Sequence, residues 1–417
     1  MFSKVIDCRE LPMEKPNQPH ESEEMREHLK PNRSLALLGA AHSLNHSLFV
    51  ITPPLLSIIA VNLGVTNFEM GSASTIASVI YGTGALLGGP LGDRIGEVKA
   101  IALCLALSGI PAPLMLIAGF TNGFYVYVAT LALMAGFASI YHPISNAFIS
   151  KAFKVKTPEA MGIHGVGGTL GVVLTPIAAG VIGTYFGWPW AFIFFGALSV
   201  LLALILVKKV IRTEKVKQEK TTILDAFRIR GLWTVLILNV AIGLFMKSVE
   251  LFFPTYLKDN RGIDPLWASV AYTLLLACGV PGQWFGGKIA NTAGSKKVVA
   301  ATMAGVCAAL FSLLLVPIHI VGIIAFIVLY GFSFYAHQPA LNALAGSLTP
   351  YGQRGAVFGI YFFTSFGVGS VSQMISGYLA DVYGLDTAFY MLTAFAIVAL
   401  ALSFLLPRES KKKNGAY

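Results

Sequence analysis

The sequence predicts an all-helical (all-α) membrane protein, with twelve transmembrane helices arranged as two pseudo-symmetric six-helix bundles. Two observations carry that prediction. The first is composition: of 417 residues, 55% are hydrophobic and 12% charged, with a mean hydropathy of +0.71, outside the range of soluble globular domains. The second is repetition. Runs of about twenty apolar residues recur along the chain, each enough to cross a hydrocarbon core at about 1.5 Å per residue, and marker residues of the first half return in the second.

The runs fall at 34–60, 69–92, 98–119, 124–149, 159–185, 188–207, 232–257, 265–289, 298–317, 320–347, 353–382 and 386–406. They delimit a flexible cytoplasmic extension at 1–33, a first bundle at 34–207, a linker at 208–231, a second bundle at 232–406 and a tail at 407–417. The extension mixes seven acids, six bases and four prolines, too polar to bury a core. It leads straight into a run too long for the apolar region of a signal peptide, so no cleaved leader is expected.

Of the 30 Lys and Arg residues, only Lys258 and Arg261 fall on the side opposite the N-terminus, and Lys247 lies within a span. By the positive-inside rule this puts both termini and the basic linker in the cytoplasm, with the bundles in the cell (inner) membrane. The net charge of +10 therefore reports topology and gives no reason to expect a nucleic-acid partner. Cys8, Cys104, Cys278 and Cys307 are scattered, without metal or disulfide spacing. No Gly-rich loop ends in Lys-Ser/Thr and no nucleophile–base set stands out, so neither an enzyme nor a cofactor is expected.

Four sets of matches argue for duplication. Gly89, Asp93 and Gly96 align with Gly287, Asn291 and Gly294 at an offset of 198. Gly162-Ile163, Gly180 and Gly187 align with Gly359-Ile360, Gly377 and Gly384 at 197. Pro143, Asn146 and Ala147 match Pro339, Asn342 and Ala343 at 196, and His46 through Pro53 matches Lys247 through Pro254 at 201. Internal repeats around a midplane site are the usual build of secondary transporters.

Polar groups are unevenly shared among the spans. The third, sixth, ninth and twelfth carry no His or charged residue in their interiors and are expected to face lipid; Phe192, Phe194 and Phe195 of the sixth then need no binding role. The others hold His42, Asn45, His46, His142, Asn146, His164, Lys247, Glu250, His337, Gln338 and Asn342. A charged group facing lipid costs about 2.5–3.5 kcal/mol on insertion scales, so these side chains are expected to share an interior.

His42 and His46, four apart, share a helix face about 12–18 Å into the bilayer, counting from Ser34. No carboxylate lies inside the first six spans, so protons carried there would ride on histidine, whose ordinary pKa is nearest neutrality. The plain alternative is a pair of neutral imidazoles hydrogen-bonded to Asn45 and neighbouring helices. A metal site at this spacing lacks carboxylate or thiolate companions, and none is assigned. Lys247 and Glu250, three apart, can meet on one face of the seventh span. Glu250 is the one carboxyl placed well inside a span, which makes it the leading proton-coupling candidate, with His42, His46 and His142 beside it; a static ion pair is the alternative. Pro143 and Pro339 are expected to kink the fourth and tenth spans, with His142, His164 and His337 clustered towards the terminal side. Asn45, Lys247, Asn146, His164, His337, Gln338 and Asn342 are the candidates for lining a substrate cavity. The glycine runs 165–171 and 367–369 are expected to form interfaces between the halves.

The loop Gly89-Pro-Leu-Gly92-Asp93-Arg94-Ile-Gly96-Glu-Val-Lys99 resembles the motif of the major facilitator superfamily between helices 2 and 3, and Gly287–Lys297 its weaker partner, with Asn291 and Thr292 in place of Asp and Arg. Gly171 through Pro176 to Gly180 is similar to the antiporter motif of helix 5, with Thr175 and Ala179 in place of glycines. His42-Ser-Leu-Asn45, Tyr141-His-Pro143 and Val166-Gly-Gly168 look like the fosmidomycin-resistance family of drug exporters. The superfamily resemblance spans about 34–406. It implies alternating access, with Gly89, Gly92, Asp93, Arg94, Gly96 and Lys99 as a cytoplasmic latch in which Asp93 sits at a helix N-terminus and the bases meet helix ends or acidic lipid headgroups. The expected activity is proton-coupled export of a small organic or drug-like compound. Import or facilitated movement of an anionic metabolite or metal chelate, and a non-transporting membrane sensor, are the alternatives.

Overall fold

The computed structural model describes residues 31–84, 86, 88–153, 157–208, 228–350 and 353–407; the expected extension, most of the linker and the tail lie outside the described residues. Among the described residues every regular element is a helix, and the helices group into twelve spans. Span 1 is Pro31–Val50 and Thr52–Leu63, span 2 Asn67–Gly84 and Gly88–Ile95, and span 3 Glu97–Gly109 and Leu114–Thr121. Span 4 is Phe124–Ala138 and Tyr141–Phe153, span 5 Thr157–Phe186 and span 6 Trp188–Lys208. Spans 7 to 10 are Leu232–Asp259, Pro265–Ala293, Ser295–Leu315 and His319–Leu348. Span 11 is Arg354–Phe362, a π turn at Phe363–Val368 and Val371–Tyr383; span 12 is Leu385–Ser403.

The breaks follow from sequence. Pro111 and Pro113 interrupt span 3, because each lacks the N–H a helix needs. In span 4 the break falls at Ser139 and Ile140, ahead of the expected kink at Pro143, which sits in the first turn of the next helix. Its ring would clash with the carbonyl four residues earlier, that of Ser139. Pro339, its repeat counterpart, lies inside the unbroken helix His319–Leu348, so the paired break is absent.

Gly96, Gly187, Gly294 and Gly384 end spans 2, 5, 8 and 11 with φ of 89°, 95°, 88° and 87°. That backbone region disfavours any side chain, which is why glycine recurs there. Gly96 and Gly294 agree in ψ as well, at 140° and 144°, so the repeat read from sequence is also a repeat of backbone geometry.

Among the described residues ten spans are long and apolar enough to cross a membrane. Spans 2 and 11, the other two, pack on each other across the halves. Gly71 lies against the Gln373 carbonyl, Gly82 against Gly367 and Gly377 against Asn67, all so close that a Cβ would collide with backbone. Small and hydroxyl residues permit that approach and lower the hydropathy.

The other glycine run behaves differently from expectation. Gly167, Gly168 and Gly171 meet Gly39, His42 and Ser43 of span 1, and Gly369 meets Gly243 of span 7. These are contacts within a half; of the two runs, Gly367 is the glycine that lies against the other half, at Gly82. Span 6 also departs from a purely lipid-facing role: Phe192 and Phe195 are buried, while Phe194 is exposed.

The halves meet through spans 1 and 7, 2 and 11, and 5 and 8, with Gly180 against Ser269 in the last pair. One apolar core joins both halves. A second, built from Leu35, Leu38, Ile101, Tyr141, Phe148 and Leu206, belongs to the first half alone and lies towards the end where span 1 begins. Packing between the halves is thus concentrated at the opposite end.

Candidate functional site

Two polar groups, one in each half, face the interior. In the first half, His42 and His46 of span 1 meet His142 of span 4 and His164 of span 5. His42 and His164 stack with ring centroids 4.0 Å apart, and His142 lies 5.1 Å from both His42 and His46. The His42 ring reaches span 5 because residue 168 is glycine; a Cβ there would sit 2.5 Å from the imidazole.

The hydrogen bonds define a directed chain. Tyr141 gives its single hydroxyl proton to the Leu38 carbonyl at 3.0 Å. It can therefore only accept from His164 Nε2 at 3.1 Å. The His164 carbonyl accepts from His42 Nδ1 at 2.8 Å, which fixes the His42 tautomer and leaves its Nε2 as an acceptor. His46 Nε2 lies 3.0 Å from that atom and donates to it. Asn45, fully buried, donates Nδ2 to the Ala138 carbonyl at 3.0 Å and so braces the break in span 4.

In the second half, Lys247 Nζ lies 3.3 Å from Glu250 Oε2, with the side chains 12% and 22% exposed. A pair so nearly buried in a span needs interior partners, and it has them. Lys247 Nζ sits 4.0 Å over the Phe366 ring, a cation–π contact. Glu250 lies within electrostatic reach of the buried Tyr272 and Tyr330 and of the half-buried Tyr335. The Tyr330 hydroxyl has no hydrogen-bond partner among the described residues.

Span 11 joins the two groups. Phe362 stacks on His142 with centroids 6.2 Å apart, and Phe366, one turn on, carries Lys247 and lies 5.6 Å from Tyr81. The π turn Phe363–Val368 begins between them; such turns are frequent at functional sites.

Other residues singled out from sequence lie elsewhere. His337 is buried in span 10, bonded to the Phe334 carbonyl and packed on the Phe334 ring; it makes no described contact with His142 or His164. The expected three-histidine cluster thus loses His337, whose ring is turned into its own helix, and gains His42 and His46. Asn146 and Asn342 are exposed and Gln338 is half-buried. In the antiporter-like stretch, Thr175 bonds Ser47 at 2.7 Å and the Gly171 carbonyl at 2.6 Å, so a hydroxyl contact occupies the place of a glycine. Arg94 and Lys99 are exposed, and Gly92 packs on Ile144. The side chain of Asp93 and the surroundings of Gly89 lie outside the described residues.

A carboxylate on a helix N-terminus does occur, at the opposite end and between the halves. Asp381 of span 11 accepts from the backbone N–H of Asn67 at 3.0 Å and Phe68 at 2.8 Å, and from Asn67 Nδ2 at 3.0 Å. It caps span 2, where partial positive charge favours an anion. A cleft of about 380 Å³ lies beside it, lined by Ser57, Val65, Thr66 and Lys258 among others. Sequence reading missed Asp381, though a signal exists. Gly377, Asp381 and Gly384 repeat the spacing of Gly89, Asp93 and Gly96, and Gly180, Thr184 and Gly187 do so again.

The sequence profile of the Major Facilitator Superfamily matches residues 35–373. The chain belongs to that superfamily. It is 26% identical to the fosmidomycin resistance protein of Escherichia coli K12 over 405 residues, covering 92% of this chain and 95% of that one. It is 24% identical to a D-galactonate transporter of Escherichia coli O6:H1, covering 84% and 89%. A multi-drug resistance efflux pump homologue of Lactococcus lactis is 25% identical, with 88% and 93% covered. Among solved structures, a bacterial homologue of the human lysosomal transporter Spinster, in an inward-facing and unoccupied conformation, superposes with a TM-score of 0.78 at 16% identity, covering 91% and 97%. The protein is a multi-pass membrane transporter of the superfamily fold, and not an enzyme.

Proposed function

We propose that this transporter exports a small organic, drug-like compound against an inward flow of protons, by alternating access with both termini cytoplasmic. The observation that carries the reading is the meeting of His142 with Phe362 and of Lys247 with Phe366. Ionisable groups of both halves thereby share one interior wall that changes shape when the halves rock. Glu250 is the proton site: protonation releases Lys247 and so alters the charge presented to the wall. To drive transport, protonation must favour one facing state over the other; a potential of 100 mV supplies about 2.3 kcal/mol per charge. Asp381 of span 11, capping span 2, holds the outer end shut, and the loop at 89–99, through Asp93, Arg94 and Lys99, is its counterpart at the cytoplasmic end. The relatives named for fosmidomycin resistance and multi-drug efflux support the export direction.

One observation favours a second reading, import of an organic anion. Lys247 beside aromatic rings suits a carboxylate or phosphonate, and one relative is named as a D-galactonate transporter. Proteoliposomes under an imposed pH gradient separate the two, with fosmidomycin and D-galactonate as probes. Export predicts that probe and protons move in opposite directions; movement of D-galactonate with protons establishes import instead. Flux of either probe that ignores the gradient overturns proton coupling.

A further inference from the structure

His42, His46 and His142 offer one ring nitrogen each, and these three atoms all lie within 4.8 Å of one another. We propose that they form a binding site for a divalent transition cation of intermediate softness, such as Zn²⁺ or Co²⁺, on the first-half wall of the interior. Bond lengths of about 2.0–2.1 Å put neighbouring nitrogens of a tetrahedral site roughly 3.3 Å apart. His42 Nε2 and His46 Nε2 are already 3.0 Å apart, and rotation of the half-buried His142 ring closes the remaining gap.

The orientation of His42 is that of a ligand. A metal-bound histidine characteristically gives its other N–H to a carbonyl or carboxylate, which fixes the ring and raises its basicity. His42 Nδ1 does this to the His164 carbonyl at 2.8 Å, and its bare Nε2 is directed at the site. His164 is itself held by Tyr141, so a second layer of contacts supports the first. Binding requires His46 only to exchange tautomers, moving its proton from Nε2 to Nδ1, with no net proton released. Three neutral imidazoles without a carboxylate select Zn²⁺, Co²⁺, Ni²⁺ or Cu²⁺ over Mg²⁺ and Ca²⁺. Three protein ligands also leave a fourth position open, for water or for a donor atom of a chelator that brings the cation in. An anionic chelator would meet Lys247 of the other half, whose Nζ sits over Phe366, one turn from the Phe362 that stacks on His142.

The site goes beyond the transport reading and is tested by binding alone. Tag-free, full-length protein in detergent is titrated with Co²⁺, and the visible absorption of a tetrahedral centre is followed. One equivalent is expected to bind, with affinity lowered at least tenfold in His46→Gln and in His142→Asn and unchanged in His319→Ala, a substitution at an exposed histidine. Affinity unchanged in both site variants overturns the proposal. Carbethoxylation of the unaltered chain gives a second measurement that does not depend on variants folding: Zn²⁺ should protect His46 and His142, and equal modification with and without Zn²⁺ overturns the site. Titration with Zn²⁺ alone and with equimolar Zn²⁺ and citrate distinguishes the sources. Tighter binding with citrate, lost in Lys247→Met, assigns a chelate; tighter binding of Zn²⁺ alone, unaffected by that substitution, assigns the free ion.

Discussion

The two halves share a backbone and differ in chemistry. Both tie their first span to a carbonyl at the same repeat position: His42 donates to His164 at 2.8 Å, and Asn239 donates to Tyr361 at 2.6 Å, with 164 and 361 related by the offset of 197. Both join hydroxyls across the same pair of spans, Thr175 to Ser47 and Ser248 to Ser372. Yet the first half fills its interior with imidazoles and the second with a Lys–Glu pair among tyrosines. The contacts that set the distance between helices recur, while the side chains facing the interior have diverged. The shared bonds are therefore framework, and the proposed proton coupling rests on the half that carries the Lys–Glu pair.

The largest test of that assignment is Glu250→Gln. If the second half carries the proton, substrate accumulation at 100 mV falls about fiftyfold, the equivalent of about 2.3 kcal/mol, while probe binding stays measurable. Transport and thermal-shift assays on one preparation check both arms. Undiminished proton uptake by this variant moves the coupling to the histidines.

Glycine substitutions sharpen the contrast next. A Cβ at Gly168 meets the movable ring of His42, whereas one at Gly369 lies within 2.6 Å of the Gly243 and Ser365 backbone. Overpacking costs roughly 1–3 kcal/mol. Gly369→Ala is expected at the top of that range, with Gly168→Ala lower but disrupting the histidine chain. Gly162→Ala, which has open space, is expected to be close to neutral. Thermal denaturation in detergent orders the three; equal melting temperatures would show that the second half is the looser one.

What could be read from sequence divides along the same line. Relations within one helix were legible: the spacing of His42 and His46, or of Lys247 and Glu250, fixes a shared face. The turns at Gly96 and Gly294 were legible because few residues other than glycine tolerate their backbone. Relations between helices were not. His142 and His164 join His42 only through the crossing of spans 1, 4 and 5, and His337 turns to Phe334 because an almost uniformly apolar span gives no sign of its rotation. Asp381 was overlooked although its glycine spacing marks it, since the copies in spans 5 and 8 carry Thr184 and Asn291 instead of an acid.

Asp381→Asn then asks whether the halves are held by charge or by packing. Loss of the anionic cap on span 2 is expected to cost the closed end about 0.5–2 kcal/mol, a two- to thirtyfold shift towards opening. Pulsed electron spin resonance distances between labels at Val61 and Tyr383 report it. An unchanged distribution assigns closure to the glycine packing of spans 2 and 11 alone.

The smallest effect makes the finest comparison. In the second half the protons have one assignment: Ser248 donates to Ser372 at 2.8 Å, and Ser372 donates to the Gly369 carbonyl at 2.9 Å. In the first half the two hydroxyls compete, because Ser47 also reaches the Ser43 carbonyl at 2.9 Å and Thr175 the Gly171 carbonyl at 2.6 Å. Removing one partner there leaves the other with its own carbonyl. Double-mutant cycles should therefore find a coupling of about 0.6–1.7 kcal/mol for Ser248→Ala with Ser372→Ala, and a smaller one for Ser47→Ala with Thr175→Val. A larger first-half coupling would mean that its hydroxyl protons point at each other, and that the two frameworks differ where their geometry makes them look alike.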